Sequence, residues 1–147
     1  MLILLLILIF SCEVVPVGVP SQVLSAELQN LRWQRCYERN VFDCSQMSSA
    51  LSWYLENEGW DTKIVCGNCP FSDGYHAWLL VKTGGNYTPV EATSLRVIEK
   101  TEACYNNYFI YDHEFETMED AVAVWAREFG LNGEEDQLIT VSIGDRQ

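Results

Sequence analysis

Basic residues are scarce in this chain. Of its 147 residues, 9 are Lys or Arg and 21 are Asp or Glu, for a formal net charge of −12. Nucleic-acid binding draws mainly on Lys and Arg contacts to phosphate, so a nucleic-acid partner is excluded on composition. The same shortage argues against a protein that coats anionic lipid. Also lacking is an apolar run of about 20 residues, the length a bilayer-spanning helix needs. There are only two histidines, and neither a second C-x-x-C nor an H-x-x-x-H accompanies the one C-x-x-C, so no closed zinc site is spelled out. Repeats and low-complexity tracts are absent. What is present is a 48% hydrophobic, 12% aromatic composition, enough to bury a core and to exclude wholesale disorder. The length suits one domain.

Met1 to Phe10 is an unbroken apolar stretch, followed by Glu13, Pro16 and Pro20. Ten apolar residues match the h-region of a signal peptide. No Lys or Arg precedes them. Cys12 follows Ile9-Phe10-Ser11, a loose match to a lipoprotein cleavage box in which Phe10 is large. Residues 1–20 therefore read as a signal peptide or membrane anchor and 21–147 as the folded domain. The protein is expected to be extracellular or held at the cell surface, touching the membrane only through this segment.

Export implies an oxidising compartment in which thiols pair. Without Cys12, five cysteines remain, and an odd count leaves one thiol free. Cys36, Cys66, Cys69 and Cys104 are the disulfide candidates, and Cys44 is the remainder. A zinc site or a redox dithiol at Cys66-Gly67-Asn68-Cys69 are the competing readings; no helix signal follows Pro70, which weakens the redox one.

Apolar spacing predicts a helix over 21–39, in one piece or two, through Val23, Leu24, Leu28, Leu31 and Trp33. A second helix over 44–58 shows Met47, Leu51, Tyr54 and Leu55 on one face and ends at Gly59. Strands are expected over 61–67 and 75–82. The second has the continuous apolar character of a central strand. A turn at Thr83-Gly84-Gly85-Asn86 leads into a strand over 87–93, which Pro89 places near an edge or bulge. Residues 99–116 are aromatic and acidic without clear periodicity; His113 reads as a solvated loop residue. A helix opens at Thr117, and a last strand spans 137–143. The fold class is α+β, with helices segregated from a mostly antiparallel sheet.

The start of the second helix is closely specified. Asp43 suits the N-cap and Gln46 the N3 position of a capping box, with Phe42 and Met47 as a hydrophobic staple. Cys44 then falls at N1, where unpaired amides and the helix dipole favour a thiolate. A buried, inert cysteine or a disulfide partner is the plainer alternative. His76, in Tyr75-His76-Ala77-Trp78, opens the central strand. In a hairpin turning at Gly84-Gly85 it faces position 92, so Glu91 lies beside it. A carboxylate that orients an imidazole, and an imidazole that takes the thiol proton, make the nucleophile–base–orienter set of covalent catalysis.

Phe42-Asp43-Cys44-Ser45, Tyr75-His76-Ala77-Trp78 and Val90-Glu91-Ala92-Thr93 together resemble the transglutaminase-like core, a branch of the papain-like cysteine-enzyme fold. The resemblance covers residues 40–95. It implies a Cys-bearing helix packed on an antiparallel sheet, with Cys44 as nucleophile, His76 as general base and acid, and Glu91 as orienting carboxylate in place of the usual Asp. It implies a peptide or protein amide substrate, a thioester intermediate, and no metal or other cofactor. Gln34 and Trp33 are candidates for a second oxyanion donor, and Trp78 for the site wall. A silent domain that binds peptide or cell-envelope ligands is the alternative.

On this reading, alkylation of Cys44 in the native protein should persist at about pH 6, where an ordinary thiol reacts very slowly. His76→Ala should move the reactive limb upward and Glu91→Gln should move it less. Three superimposable rate–pH curves would mark Cys44 as an ordinary thiol.

Overall fold

The computed structural model describes residues 21–34, 36–39, 42–117, 119–121 and 143–145. The expected targeting segment lies outside them. Among the described residues no helix is long and apolar enough to cross a membrane.

The fold is α+β, with mostly antiparallel strands as expected. Helix α1 (Ser21–Asn30) leads into β1 (Leu31–Trp33), then α2 (Cys44–Asn57), β2 (Thr62–Asn68), β3 (Tyr75–Thr83), β4 (Asn86–Glu91) and β5 (Arg96–Val97). A 3-10 helix, η1 (Tyr105–Phe109), precedes β6 (His113–Phe115) and β7 (Ile143–Asp145). Five strands form one antiparallel sheet in the order β5-β4-β3-β2-β6, and β1 pairs with β7 in a separate ribbon.

The helix expected over 21–39 is shorter than its pattern. It ends at Asn30, and Leu31 to Trp33 are extended. Leu31 and Trp33 had looked like continuing helical positions. Their backbone instead forms a ladder with 143–145, and the Trp33 indole donates to the Ala92 carbonyl at 2.9 Å. Val23, placed on the apolar face by spacing, is 48% exposed, while Leu24 and Leu28 are buried.

Helix α2 follows its sequence closely. Asp43 caps it, accepting from the Ser45 amide at 3.0 Å, while the Gln46 side chain accepts from the Asp43 amide at 3.0 Å, a complete capping box. Met47, Leu51 and Leu55 are buried. Beyond the C-cap Glu58, Gly59 has φ +90°, the left-handed conformation that closes a helix. The Ser52 hydroxyl meets Thr62 at the start of β2, and Thr62 pairs with Val81 near the end of β3. α2 therefore runs alongside β3 in the same direction, and its N-terminus comes to the end where β3 begins.

Each face of the sheet has its own core. Ile64, Cys66, Ala77, Leu79, Val81, Val90 and Ala92 pack with Leu24, Leu28, Met47, Leu51 and Leu55 of the two helices. Val65, Trp78, Leu80, Ile98 and Tyr108 form a smaller cluster on the other face. β3 is the middle strand, buried on both sides as its unbroken apolar run implies. Gly84 (φ +59°) and Gly85 (φ +89°) make the two-residue turn between the paired Thr83 and Asn86. This turn sets the ladder at Leu79–Val90, one residue away from the alignment of His76 with Ala92 that the sequence suggested. Glu91 is thus level with Trp78, two residues along β3 from His76 and on the same face. Beyond Pro89, β4 is flanked only by the two-residue β5, so the proline lies near an edge.

Residues 99–116 carry more order than their sequence suggests. His113, expected in a loop, is exposed but lies in β6, paired with Cys66. Glu114 and Glu116 both form ion pairs with Lys63. The Thr117 hydroxyl accepts from the Asp120 amide at 3.2 Å, so the expected helix start is present. Its continuation lies outside the described residues, as do residues 137–142 of the strand expected over 137–143; Ile143 opens β7.

Asp43→Ala removes an acceptor for first-turn amides and should lower stability by about 1 kcal/mol. Asp43→Ser should recover most of the loss. Urea unfolding checks both.

Candidate active site

His76, the second residue of β3, and Glu91, the last of β4, form a buried pair. Their side chains are 11% and 6% exposed. The ring Nε2 lies 2.9 Å from Glu91 Oε2 and 3.1 Å from Oε1, so both carboxylate oxygens address one ring nitrogen. Cys44, the first residue of α2, acts on the same imidazole and favours its protonated form. With Nε2 committed to Glu91, Nδ1 is the nitrogen left for the thiol. Three elements far apart in sequence thus bring together the three residues picked out as a possible triad.

Burial opposes a charged His76. The hydrogen bonds and charges of Cys44 and Glu91 outweigh it and push the ring pKa up to about 10. Burial likewise raises the Glu91 carboxyl, but His76 and Thr93 outweigh that and hold it below its ordinary value. The Thr93 hydroxyl donates to Glu91 Oε1 at 2.7 Å and the Thr93 amide donates to it at 3.3 Å.

The surroundings are aromatic. Trp78 stacks near the His76 ring at 6.1 Å, and its indole donates to the Tyr108 carbonyl at 3.0 Å. Trp78 is therefore a wall of the site and a core residue at once. Phe71, 54% exposed in the loop between β2 and β3, stands edge-on to His76 at 5.4 Å. The Asn107 side chain donates to the Pro70 carbonyl and ties this loop to η1. Opposite His76 on β2 is Gly67, where a Cβ would stand 3.0 Å from the Tyr111 backbone. The glycine lets the chain after η1 pass close over the sheet.

Two expectations need correction. Trp33 is not a free oxyanion donor, because its indole is committed to Ala92; it is a packing residue, edge-on to Phe42. Gln34 follows β1 with its side chain exposed. The second correction concerns the cysteines. Cys36, Cys66, Cys69 and Cys104, expected as two disulfides, form none among the described residues, nor does Cys44. Cys66 is buried in the core beneath the helices, Cys104 packs on the opposite cluster, Cys36 is exposed, and Cys69 accepts from Ser72 in the loop after β2. Cys69 and Cys104 both lie near enough to Tyr108 to act on its hydroxyl, while Cys66 packs on the other face of the sheet. Among the described residues no three His, Cys, Asp or Glu cluster as metal ligands.

Sequence reasoning missed Thr93, Phe71, Tyr37 and Tyr108. Tyr37, exposed, lies near enough to Cys44 and Asp43 that burial first, then their charges, raise its hydroxyl pKa. Tyr108 is fully buried, and its hydroxyl donates to Glu91 Oε2 at 3.4 Å. The one sign of it in sequence is the density of aromatics over Tyr105, Tyr108, Phe109 and Tyr111.

Comparisons add little to this geometry. No family model matches the sequence, and no solved structure matches it. An uncharacterized protein of Methanocaldococcus jannaschii is 31% identical over 74 residues. The match takes in 49% of this chain and 28% of that protein, so it spans less than a third of the relative's length.

Two predictions follow from the pair and the thiols. His76 is raised, so its contribution to stability is whole below about pH 6.5 and is lost as pH climbs through about 10; Glu91 is lowered, so its contribution is present above about pH 4.5 and lost as pH falls. The gap in urea midpoint between wild type and Glu91→Gln should therefore be widest near about pH 6 and narrow in both directions. A gap independent of pH would mean that the two side chains do not interact. In denatured, unreduced protein, alkylation should label Cys36, Cys44, Cys66, Cys69 and Cys104; two blocked pairs would restore the disulfide scheme.

Proposed function

We propose that this chain is a thiol acyl-transfer enzyme with a transglutaminase-like, papain-like core, acting on peptide or protein amides. The observation that carries the reading is the convergence of Cys44, at N1 of a capped helix, on an imidazole whose other nitrogen is held by a buried carboxylate. The nucleophile, the base and the orienter each have a partner suited to that role.

In the proposed reaction the Cys44 proton already rests on His76 as an imidazolium–thiolate pair, and the sulfur attacks the amide carbonyl carbon. The C–S bond forms as the carbonyl π pair moves onto oxygen. Collapse expels the amine, which leaves with the proton from His76. Water attacks the resulting thioester, His76 accepts its proton, and the acid departs as the thiolate is released beside the imidazolium. An acceptor amine in place of water would give transfer instead of hydrolysis. The Asp43 cap takes up the amides of Ser45 and Gln46 and leaves out that of Cys44, which is the amide suited to receive the developing oxyanion. Glu91 holds the ring orientation and favours the imidazolium. The apolar N-terminus supports an exported or surface-held enzyme.

A second reading, a silent domain that binds peptide or cell-envelope ligands, is favoured by one observation. The Trp33 and Trp78 indoles are both committed to carbonyls, leaving neither as a second oxyanion donor.

A screen of peptides, amides and activated esters separates the two. Wild type should turn over at least one class, and acid quenching should trap an acyl adduct on Cys44 by mass spectrometry. Cys44→Ala should abolish turnover and adduct. Ligand binding that is equal in both forms, with no turnover in either, would favour the silent domain.

A further inference from the structure

Tyr108 reaches the Cys44–His76–Glu91 set from behind. It lies in η1, on the face of the sheet opposite the helices, and is wholly buried. Its ring meets Trp78 in a T-shaped contact at 5.7 Å, and its carbonyl accepts the Trp78 indole proton. So fixed, the hydroxyl donates to Glu91 Oε2, the oxygen that lies 2.9 Å from His76 Nε2.

A glutamate has one more rotatable bond than an aspartate, so a single hydrogen-bonded oxygen does not fix the carboxylate. Thr93 holds Oε1 through its hydroxyl and amide. That leaves the carboxylate free to swing about the held oxygen unless Oε2 is also held. We propose that Tyr108 is a positioning residue for this site, its hydroxyl holding Glu91 Oε2 so that the longer carboxylate stays aimed at His76. The consequence for turnover rests on the acyl-transfer reading; the positioning itself does not need a substrate.

The electrostatic setting fits a permanent donor. Burial first, then the Glu91 charge and the Cys104 thiol, push the Tyr108 hydroxyl well above its ordinary range, with Arg96 opposing and Cys69 adding slightly. The hydroxyl therefore keeps its proton at any working pH. The groups that face His76 itself are Cys44 from α2 and Glu91 from β4, with the uncharged rings of Phe71 and Trp78 on its other sides.

The test is the titration of the His76 ring, followed by its 15N imidazole signals in the full chain. Four forms are compared: wild type, Tyr108→Phe, Glu91→Gln and the double variant. Tyr108→Phe keeps the ring and loses only the hydroxyl. It should lower the His76 midpoint by about one unit, a tenfold loss of preference for the protonated ring. In the Glu91→Gln background the same substitution should shift nothing. An unchanged midpoint would overturn the proposal, as would an equal fall in both backgrounds. So would a rise, since it would show that Tyr108 competes with His76 for the carboxylate. If Tyr108→Phe does not fold, Glu91→Asp carries the test, because a carboxylate one methylene shorter withdraws from the hydroxyl. Its midpoint should fall by a similar amount, and an unchanged midpoint would again overturn the proposal. Absent turnover with these shifts intact would sink the enzyme reading alone; turnover with no shift would sink the role of Tyr108 alone.

Discussion

The rest of the site depends on a carboxylate that has been taken out of water. Glu91 is almost fully buried, and an ionised carboxylate without partners would be prohibitive there. Its two oxygens receive the His76 ring, the Thr93 hydroxyl and amide, and the Tyr108 hydroxyl. His76 and Thr93 outweigh desolvation and keep the charge, and the retained charge in turn lets His76 hold a proton despite its own burial. Removing one member leaves the others as unsatisfied buried groups, so the cluster behaves as a unit. An acid–imidazole pair organised this tightly is more than a solvated strand histidine beside a solvated glutamate, which is what either residue suggests in isolation.

Most of the site was legible in the sequence because its determinants are local. The capping box at Asp43 and Gln46 fixes where α2 begins and so fixes Cys44 at N1. The Gly84-Gly85 turn ties β3 to β4, so His76 and Glu91 had to be near neighbours; the one-residue difference in register moved the contact from side-by-side to diagonal without changing the face. The parts that were not legible are held by contacts distant in sequence. β1 looks helical by spacing, and it becomes extended because residues 143–145 supply a ladder partner and Ala92 an acceptor for Trp33. Tyr108 lies in a stretch with neither a helical nor a strand period, and its role exists only once η1 folds over the sheet. Counting thiols likewise says nothing of where they lie, and Cys66 and Cys104 belong to cores on opposite faces.

The geometry also accounts for where along β3 the imidazole sits. α2 packs on one face of the sheet with Ile64, Cys66, Leu79 and Val81, whereas His76, Trp78 and Leu80 alternate onto the other face, where Glu91 and Tyr108 lie. A thiol carried by the helix and an imidazole carried by the far face are separated by the sheet along most of its length. They can meet only where the sheet ends. His76 is the second residue of β3, and α2 runs in the same direction as that strand with its first residue at the same end. Two residues further in, at Trp78, a ring on the same face is sealed in the core at 0% exposure. The position of the imidazole is therefore set by the parallel alignment of α2 with β3, and that alignment is fixed at its other end by the hydroxyls of Ser52 and Thr62, which share the Glu56 carboxylate between helix and strand.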